Sequence, residues 1–414
     1  MNPPLHSPLT ATKRPIRFAS TLIVLRDGVA GLEVLMLRRA EKEGDQNSGA
    51  SVFPGGGVDP QDQLLRGCSS ALDDAVASRR LALPADGLDF YVAAVRECFE
   101  EAGLLFAWEA DGRPVSLQHL SDDEVAALRA RTEEGAQSLL GLCAERGWRL
   151  AVDRLAYFAH WLTPPGMPRR FDTRFFVALA PAGQQARPDG RETVEHMWLR
   201  PDDALDPARG LRLMNVQRRI LQQLAAFDSA EACLLHAQGL QEIPLVMPRR
   251  AMAQDGLRAV NPEEPAYAEI SRIDPDGEGH GRCELADGLA MFLSPRVLRV
   301  TARRADLLVN GYLVGGERNE WALIDVDIGD ERHRALLMAS APGPVRWVLS
   351  LHAMPPPSGE SIDLGGCRLR VLQQGFLLEE ERMLFISDPN AASDVAPAAE
   401  IEWLAPRSGF LLRV

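Results

Sequence analysis

The 414-residue sequence has no run of eighteen or more apolar residues, so no segment reads as a membrane-spanning helix. Its start, MNPPLHSPLTATKRPIRF, has two early prolines and lacks an apolar core, which argues against a secretory signal and leaves residues 1–15 as an expected flexible tail. No CxxC pair occurs: Cys68, Cys98, Cys143, Cys233, Cys283 and Cys367 lie far apart, as free thiols in a reducing compartment would, and a cytoplasmic location is expected. Positive charge is in deficit, 45 Lys+Arg against 58 Asp+Glu for a net charge of −13, so neither nucleic acid nor a membrane is an expected partner. Internal repeats are missing too. What is present, 46% hydrophobic and 25% charged residues, is the composition of two or three globular domains.

The first stretch, FASTLIVLRDGVAGLEVLMLRR, reads as a hairpin turning at Asp27-Gly28 and Gly31. SVFPGGGVD follows, and Pro54 with three consecutive glycines predicts a loop. Residues 63–88 are helix-compatible up to Pro84 and Gly87, and FYVAAVRECFEEAGLLFAW is the strongest helix of the first half, with Val92, Val95, Phe99 and Ala102 on one side. Ser121 and Glu124 form a capping-box pattern that opens a further helical stretch ending by Gly147. Strands return at LAYFAHWLTP and RFDTRFFVALAP, before an amphipathic helix in MNVQRRILQQLAAF. Five prolines, Pro244, Pro248, Pro262, Pro265 and Pro275, then predict a connector over 251–289. Residues 290–414 read as a β-rich second domain with one helix at ERHRALLMAS.

On the central helix, Glu97, Glu100 and Glu101 stand at i, i+3 and i+4, which places three carboxylates opposite the apolar side. Such a cluster is either a solvated acidic face or a site for a hard divalent cation, which prefers oxygen ligands. Arg96, four residues before Glu100, is positioned to hold that carboxylate.

Gly56, Asp62 and, after an insertion, RECFEEAGL together resemble an interrupted Nudix box. Asp62 stands where the family has Glu, thirty-three residues separate it from Arg96 instead of seven, and Cys98 replaces an aliphatic residue. With WLTPPGMPRRFDTRFFVA and ETVEHMWLRPDDAL, the likeness extends over 16–250 and is to the coenzyme A diphosphatase-like subfamily. The resemblance implies an α/β fold, a Nudix α/β/α sandwich with helical insertions at about 63–88 and 109–150. It implies that Glu97, Glu100 and Glu101, with Gly56, bind Mg²⁺ or Mn²⁺, that Arg96 supports them, and that Glu192 or Glu195 is a further ligand or base. Arg169, Arg170 and Arg174 are the candidates for phosphate contacts. The implied reaction is hydrolysis of a pyrophosphate linkage in a small nucleoside-diphosphate-linked molecule. Coenzyme A or acyl-coenzyme A is the expected substrate, and ADP-ribose, nucleotide sugars or a non-catalytic ligand sensor are the alternatives.

The second domain resembles a truncated metallo-β-lactamase-like α/β domain. Its motif region reads HAMPPPSG, so His352 occupies a ligand position while Met354, Pro356 and Pro357 stand where His, Asp and His are needed. Asp388 alone adds little, and no zinc is expected there. Packing, substrate placement or homo-oligomerisation is the role implied for it.

Overall fold

The computed structural model describes residues 15–44, 47–324, 330–350 and 360–414. The described residues form two compact units, one of residues 15–163 with Arg169–Val246, the other of Pro164–Pro168 with Met247–Val414. The expected tail, apart from residue 15, and the positions His352, Met354, Pro356 and Pro357 lie outside the described residues.

The first unit is a mixed α/β fold. Strands β1 (Ile16–Gly28) and β2 (Gly31–Arg39) form the expected hairpin, closed at Gly28 and Gly31. Two short strands follow, β3 (Ser51–Val52) on β2 and β4 (Gly55–Gly57) on β1. Helices α1 (Asp74–Arg80) and α2 (Gly87–Ala102) come next. A small pair, β5 (Ala107–Trp108) and β6 (Arg149–Leu150), brackets the insertion helices α3 (Asp122–Thr132) and α4 (Ala136–Arg146). The capping box is formed as its sequence requires, the Ser121 hydroxyl accepting from the Glu124 N–H and the Glu124 carboxylate from the Ser121 N–H.

Strands β7 (Ala156–Leu162), β8 (Arg170–Leu179), β9 (Thr193–Leu199) and β10 (Leu245–Val246) complete an eight-stranded sheet of order β10-β7-β8-β1-β2-β3, with β4 also on β1 and β9 on β2. Alternate residues of β1 serve opposite layers. Leu22 and Val24 pack under α2 and the insertion, whereas Ile23 and Leu25 pack under α5 (Pro201–Leu205), α6 (Asn215–Leu224) and α7 (Ala230–Gly239).

One local expectation needs correction, and one of two open alternatives is disfavoured. Gly55–Gly57 is not a free loop but pairs antiparallel with Ala19–Thr21, because glycines without Cβ atoms allow the backbone to approach that closely. The acidic side of α2 is not a solvated face: the helix is buried over nearly its whole surface, sandwiched between the sheet and the inserted segments, and Glu101 is 5% exposed.

In the second unit the stretch expected to be a connector is folded. Hairpin β11 (Arg249–Ala253) and β12 (Gly256–Val260) and helix α8 (Tyr267–Ile273) share a small core of Ala251, Val260, Ile270 and Cys283. The prolines fall in the turns between these elements, so their density marks short connections.

Beyond it, β13 (Ala290–Ser294), β14 (Val297–Arg304), β15 (Leu307–Gly315), β16 (Trp321–Ile324) and β17 (Val345–Leu349) form one sheet, with α9 (Glu331–Ser340) against its Leu298–Leu313–Leu323 side. The second sheet runs β18 (Ser361–Asp363), β19 (Arg368–Leu372), β20 (Gly375–Leu378), β21 (Met383–Ile386), β22 (Trp403–Pro406) and β23 (Leu412–Arg413). Its outer side carries the short helix α10 (Ala392–Val395). Val314, Ile324, Phe376, Phe385 and Trp403 fill the space between the sheets. The layers are therefore helix, sheet, sheet, helix. Arg299 on β14 and Glu269 on α8 form a fully buried ion pair, and the Leu411 N–H also donates to Glu269. Asp388 is exposed and caps the following turn through the Asn390 N–H.

Candidate active site

The site starts from one arginine. Arg96, 7% exposed on α2, uses all five N–H donors within it. Nε and Nη2 grip Asp62 at 2.8 and 3.1 Å, Nη2 also donates to the Gly57 carbonyl at 3.0 Å, and Nη1 donates to Glu97 at 2.9 Å and Glu100 at 3.0 Å. A guanidinium suits this task because its donors diverge in a fixed fork.

Asp62 reaches Arg96 because a 3₁₀ turn, Pro60–Cys68, begins there. Asp59 caps that turn, and its N–H donates back to Asp62 at 2.8 Å. Arg66 at the far end ties the same turn to Asp89 at 2.6 Å and Asp86 at 2.7 Å, at the start of α2. The insertion that separates Asp62 from Arg96 in sequence thus leaves them in direct contact.

Gly56 faces Glu97 so closely that a Cβ there would lie 2.6 Å from the carboxylate. Its neighbour Gly55 donates its N–H to Glu101 at 2.9 Å. Three carboxylates, Asp62, Glu97 and Glu100, therefore share one arginine, and the fourth, Glu101, accepts from a backbone N–H beside them. The consequence is electrostatic: burial pushes the Glu100 carboxyl up to about 7, against the pull of Arg96, and Glu101 up to about 8, against the pull of the Gly55 N–H. Glu97 and Asp62 are raised as well, chiefly by burial.

The end of α2 is closed from three directions. Gly103, left-handed at φ +70°, donates to the Phe99 carbonyl. The Arg129 guanidinium, from insertion helix α3, donates to the Glu100 carbonyl at 2.7 Å and to the carbonyls of Arg187 and Pro188. The Thr193 hydroxyl donates to the Glu101 carbonyl at 3.0 Å, and the Arg187 N–H to the Ala102 carbonyl at 2.8 Å. All four terminal carbonyls that a helix leaves open are satisfied. Asp189 organises the loop that supplies these partners, accepting from the N–H groups of Arg191, Glu192 and Thr193.

Oxygen donors, burial and an excess of negative charge are what a hard divalent cation requires, and Glu97, Glu100 and Glu101 can hold one. As the side chains stand, Glu97 and Glu100 face Arg96 and Glu101 faces Gly55; among the described residues no three acidic, His or Cys side chains are gathered in ligand geometry.

A family model for the NUDT19 Nudix domain matches residues 68–210, the stretch that carries Arg96, the three glutamates, Arg129 and Thr193. Those residues form a Nudix hydrolase domain. The chain is similar to the acyl-coenzyme A diphosphatase NUDT19 of Homo sapiens, 28% identical over 284 residues, 58% of this chain and 74% of that protein. It is also similar to that of Gallus gallus, 28% identical over 301 residues, 63% and 78%. A NUDIX hydrolase from Alicyclobacillus acidocaldarius, a solved structure, is 29% identical at a TM-score of 0.44, covering 53% of this chain and 96% of its own.

Within the Nudix domain, the structure separates the two downstream glutamates that the sequence left as equals. Glu195 points to Arg38 at 2.8 Å and is exposed. Glu192, just before β9, bears electrostatically on both Glu97 and Glu101. The three candidate phosphate arginines are not brought together at the carboxylates. Arg174 is buried, paired with Asp172 and seated over the Phe90 ring, Arg170 donates to the Thr163 carbonyl, and Arg169 is exposed. The arginine whose charge bears on Glu101 is Arg39, at the end of β2. Sequence reasoning missed Arg39, Arg129 and Thr193, none of which falls in the Nudix box.

Proposed function

We propose that this protein is a divalent-metal-dependent diphosphatase that cleaves coenzyme A or acyl-coenzyme A to 3′,5′-ADP and the (acyl) 4′-phosphopantetheine. The observation that carries the reading is the buried set of Glu97, Glu100 and Glu101 around Arg96, with more negative charge than its arginine balances. The substrate class is supported by the similarity of the Nudix domain to proteins named acyl-coenzyme A diphosphatase.

Glu97, Glu100 and Glu101 would hold Mg²⁺ or Mn²⁺, which neutralises phosphate oxygens and makes a bound water more acidic. Arg96 fixes the directions of Glu97 and Glu100, and Gly55 fixes that of Glu101. Gly56 keeps the strand clear of Glu97. Glu192 is the carboxylate that takes the proton from the attacking water, Glu195 being engaged with Arg38. Water adds to phosphorus, and the bridging P–O bond breaks with its electron pair leaving on the departing phosphate.

We place the Nudix domain at 16–250. Residues 290–414 are proposed as a metallo-β-lactamase-like module without zinc, supported by the helix–sheet–sheet–helix layering and by the residue types at 354–357. Among the described residues no helix is long and apolar enough to cross a membrane; a cytoplasmic location remains part of the proposal.

The test is incubation of the full chain with Mg²⁺ or Mn²⁺ and coenzyme A, acyl-coenzyme A, ADP-ribose and nucleotide sugars, with products identified by mass spectrometry. Release of 3′,5′-ADP is expected. Cleavage of ADP-ribose or a nucleotide sugar alone would replace the substrate class, and cleavage of none would overturn the reading.

A further inference from the structure

Beside the end of α2 lies a half-open cleft of about 330 Å³ between the insertion and the loop joining β8 to β9. Gly103, two residues after Glu101, forms part of its wall, so the cleft adjoins the C-terminal end of the helix that carries the carboxylates. That placement is fixed: Arg129 and the Arg187 N–H bind both walls to the last carbonyls of α2.

The lining has a definite chemistry. Leu117, buried, and Leu120 and Val125, half-buried, supply an apolar floor, while the amides of Gln118 and Gln185 are exposed at the rim. The Gln184 amide is already spent on the Leu105 N–H and on the carbonyls of Leu105 and Val115, which makes it part of the frame. Arg187 is paired with Asp122, so the cleft offers little net charge. No aromatic side chain lines it, and a nucleobase platform is ordinarily aromatic. A space at the low end of small-molecule sites, roughly 300–1,000 Å³, takes one arm of a large conjugate and not the whole.

We infer that this cleft binds the amide-containing pantetheine arm of the substrate, its methyl and methylene groups on the leucine–valine floor and its amides against Gln118 and Gln185. The inference rests on the coenzyme A reading above and adds which half of the molecule the insertion recognises. The nucleotide half then lies on the other side of the carboxylates. The helical insertion at about 109–150, which follows the Nudix box, is on this account a specificity element.

The experiment compares wild type with Leu120→Trp, which fills the cleft, and Gln185→Ala, an exposed change that leaves the core untouched. Calorimetric binding of 4′-phosphopantetheine and of 3′,5′-ADP is measured alongside KM and kcat for coenzyme A, with circular dichroism to check folding. Leu120→Trp is expected to weaken 4′-phosphopantetheine binding at least tenfold and raise KM similarly, Gln185→Ala to do so several-fold, and neither to change 3′,5′-ADP binding. Loss of 3′,5′-ADP binding with 4′-phosphopantetheine unaffected would overturn the assignment, as would no change in either from both variants. Should Leu120→Trp misfold, Gln185→Ala alone decides between these results. Wild-type protein that does not cleave coenzyme A removes the underlying reading instead, a failure visible before any variant is made.

Discussion

The two units bury charge in opposite ways. In the second, Arg299 meets Glu269 one to one inside a β-rich core, and the Leu411 N–H also donates to that carboxylate. In the first, Asp62, Glu97 and Glu100 converge on Arg96 alone and Glu101 on a backbone N–H, leaving negative charge uncompensated. A balanced buried pair holds a fold together, whereas an unbalanced cluster keeps its charge only where a cation or substrate completes it.

Opposite substitutions should therefore give opposite outcomes. Glu101→Gln is expected to lower kcat by a thousandfold or more while the metal-free fold stays intact, since the Gln oxygen still accepts from Gly55. Glu269→Gln should instead cost about 3–5 kcal/mol in denaturant unfolding, with kcat of the surviving folded protein within a few-fold of wild type. Equal effects of both changes on stability would erase the contrast.

The cluster also sets a pH dependence. Carboxyls at about 7 and about 8 in the folded chain, against roughly 4.3 when unfolded, mean that folding without metal takes up protons. Their contribution to stability is full below pH ~4 and is lost as pH rises to 8. Melting of EDTA-treated protein between pH 5 and 8.5 should fall more steeply for wild type than for Glu101→Gln, and Mg²⁺ should remove the difference. Parallel curves would show that Glu101 is ionised without metal.

Smaller effects sharpen the picture. Arg129→Ala leaves the Glu100 carbonyl unpartnered and should cost about 1–3 kcal/mol with roughly a tenfold fall in kcat. Glu192→Gln should lower kcat, whereas Glu195→Gln, breaking only an exposed pair with Arg38, should stay within twofold in steady-state assays.

The hairpin, the central helix and the Arg96–Glu101 spacing were legible in the sequence, because local periodicity and i, i+4 geometry decide them. Asp62 was legible as a departure from the Nudix pattern but not as the inner anchor of Arg96, since that contact is made by a 3₁₀ turn folded back across the insertion. Arg129 and Thr193 gave no signal at all: their roles exist only where α3 and the loop before β9 meet the end of α2. The stretch 251–289 misled for a related reason, proline density marking turns between short elements as readily as an open connector.

The closure of α2 has a consequence for synthesis on the ribosome. The helix carrying the glutamates is made early, but its last carbonyl partners are Arg129, Arg187 and Thr193, and β1 pairs in parallel with β8. Until Thr193 has left the exit tunnel the last carbonyls of α2 lack their partners, so the end of the helix stays open to water. The C-terminal end of the glutamate helix is therefore completed only after about ninety further residues have been made.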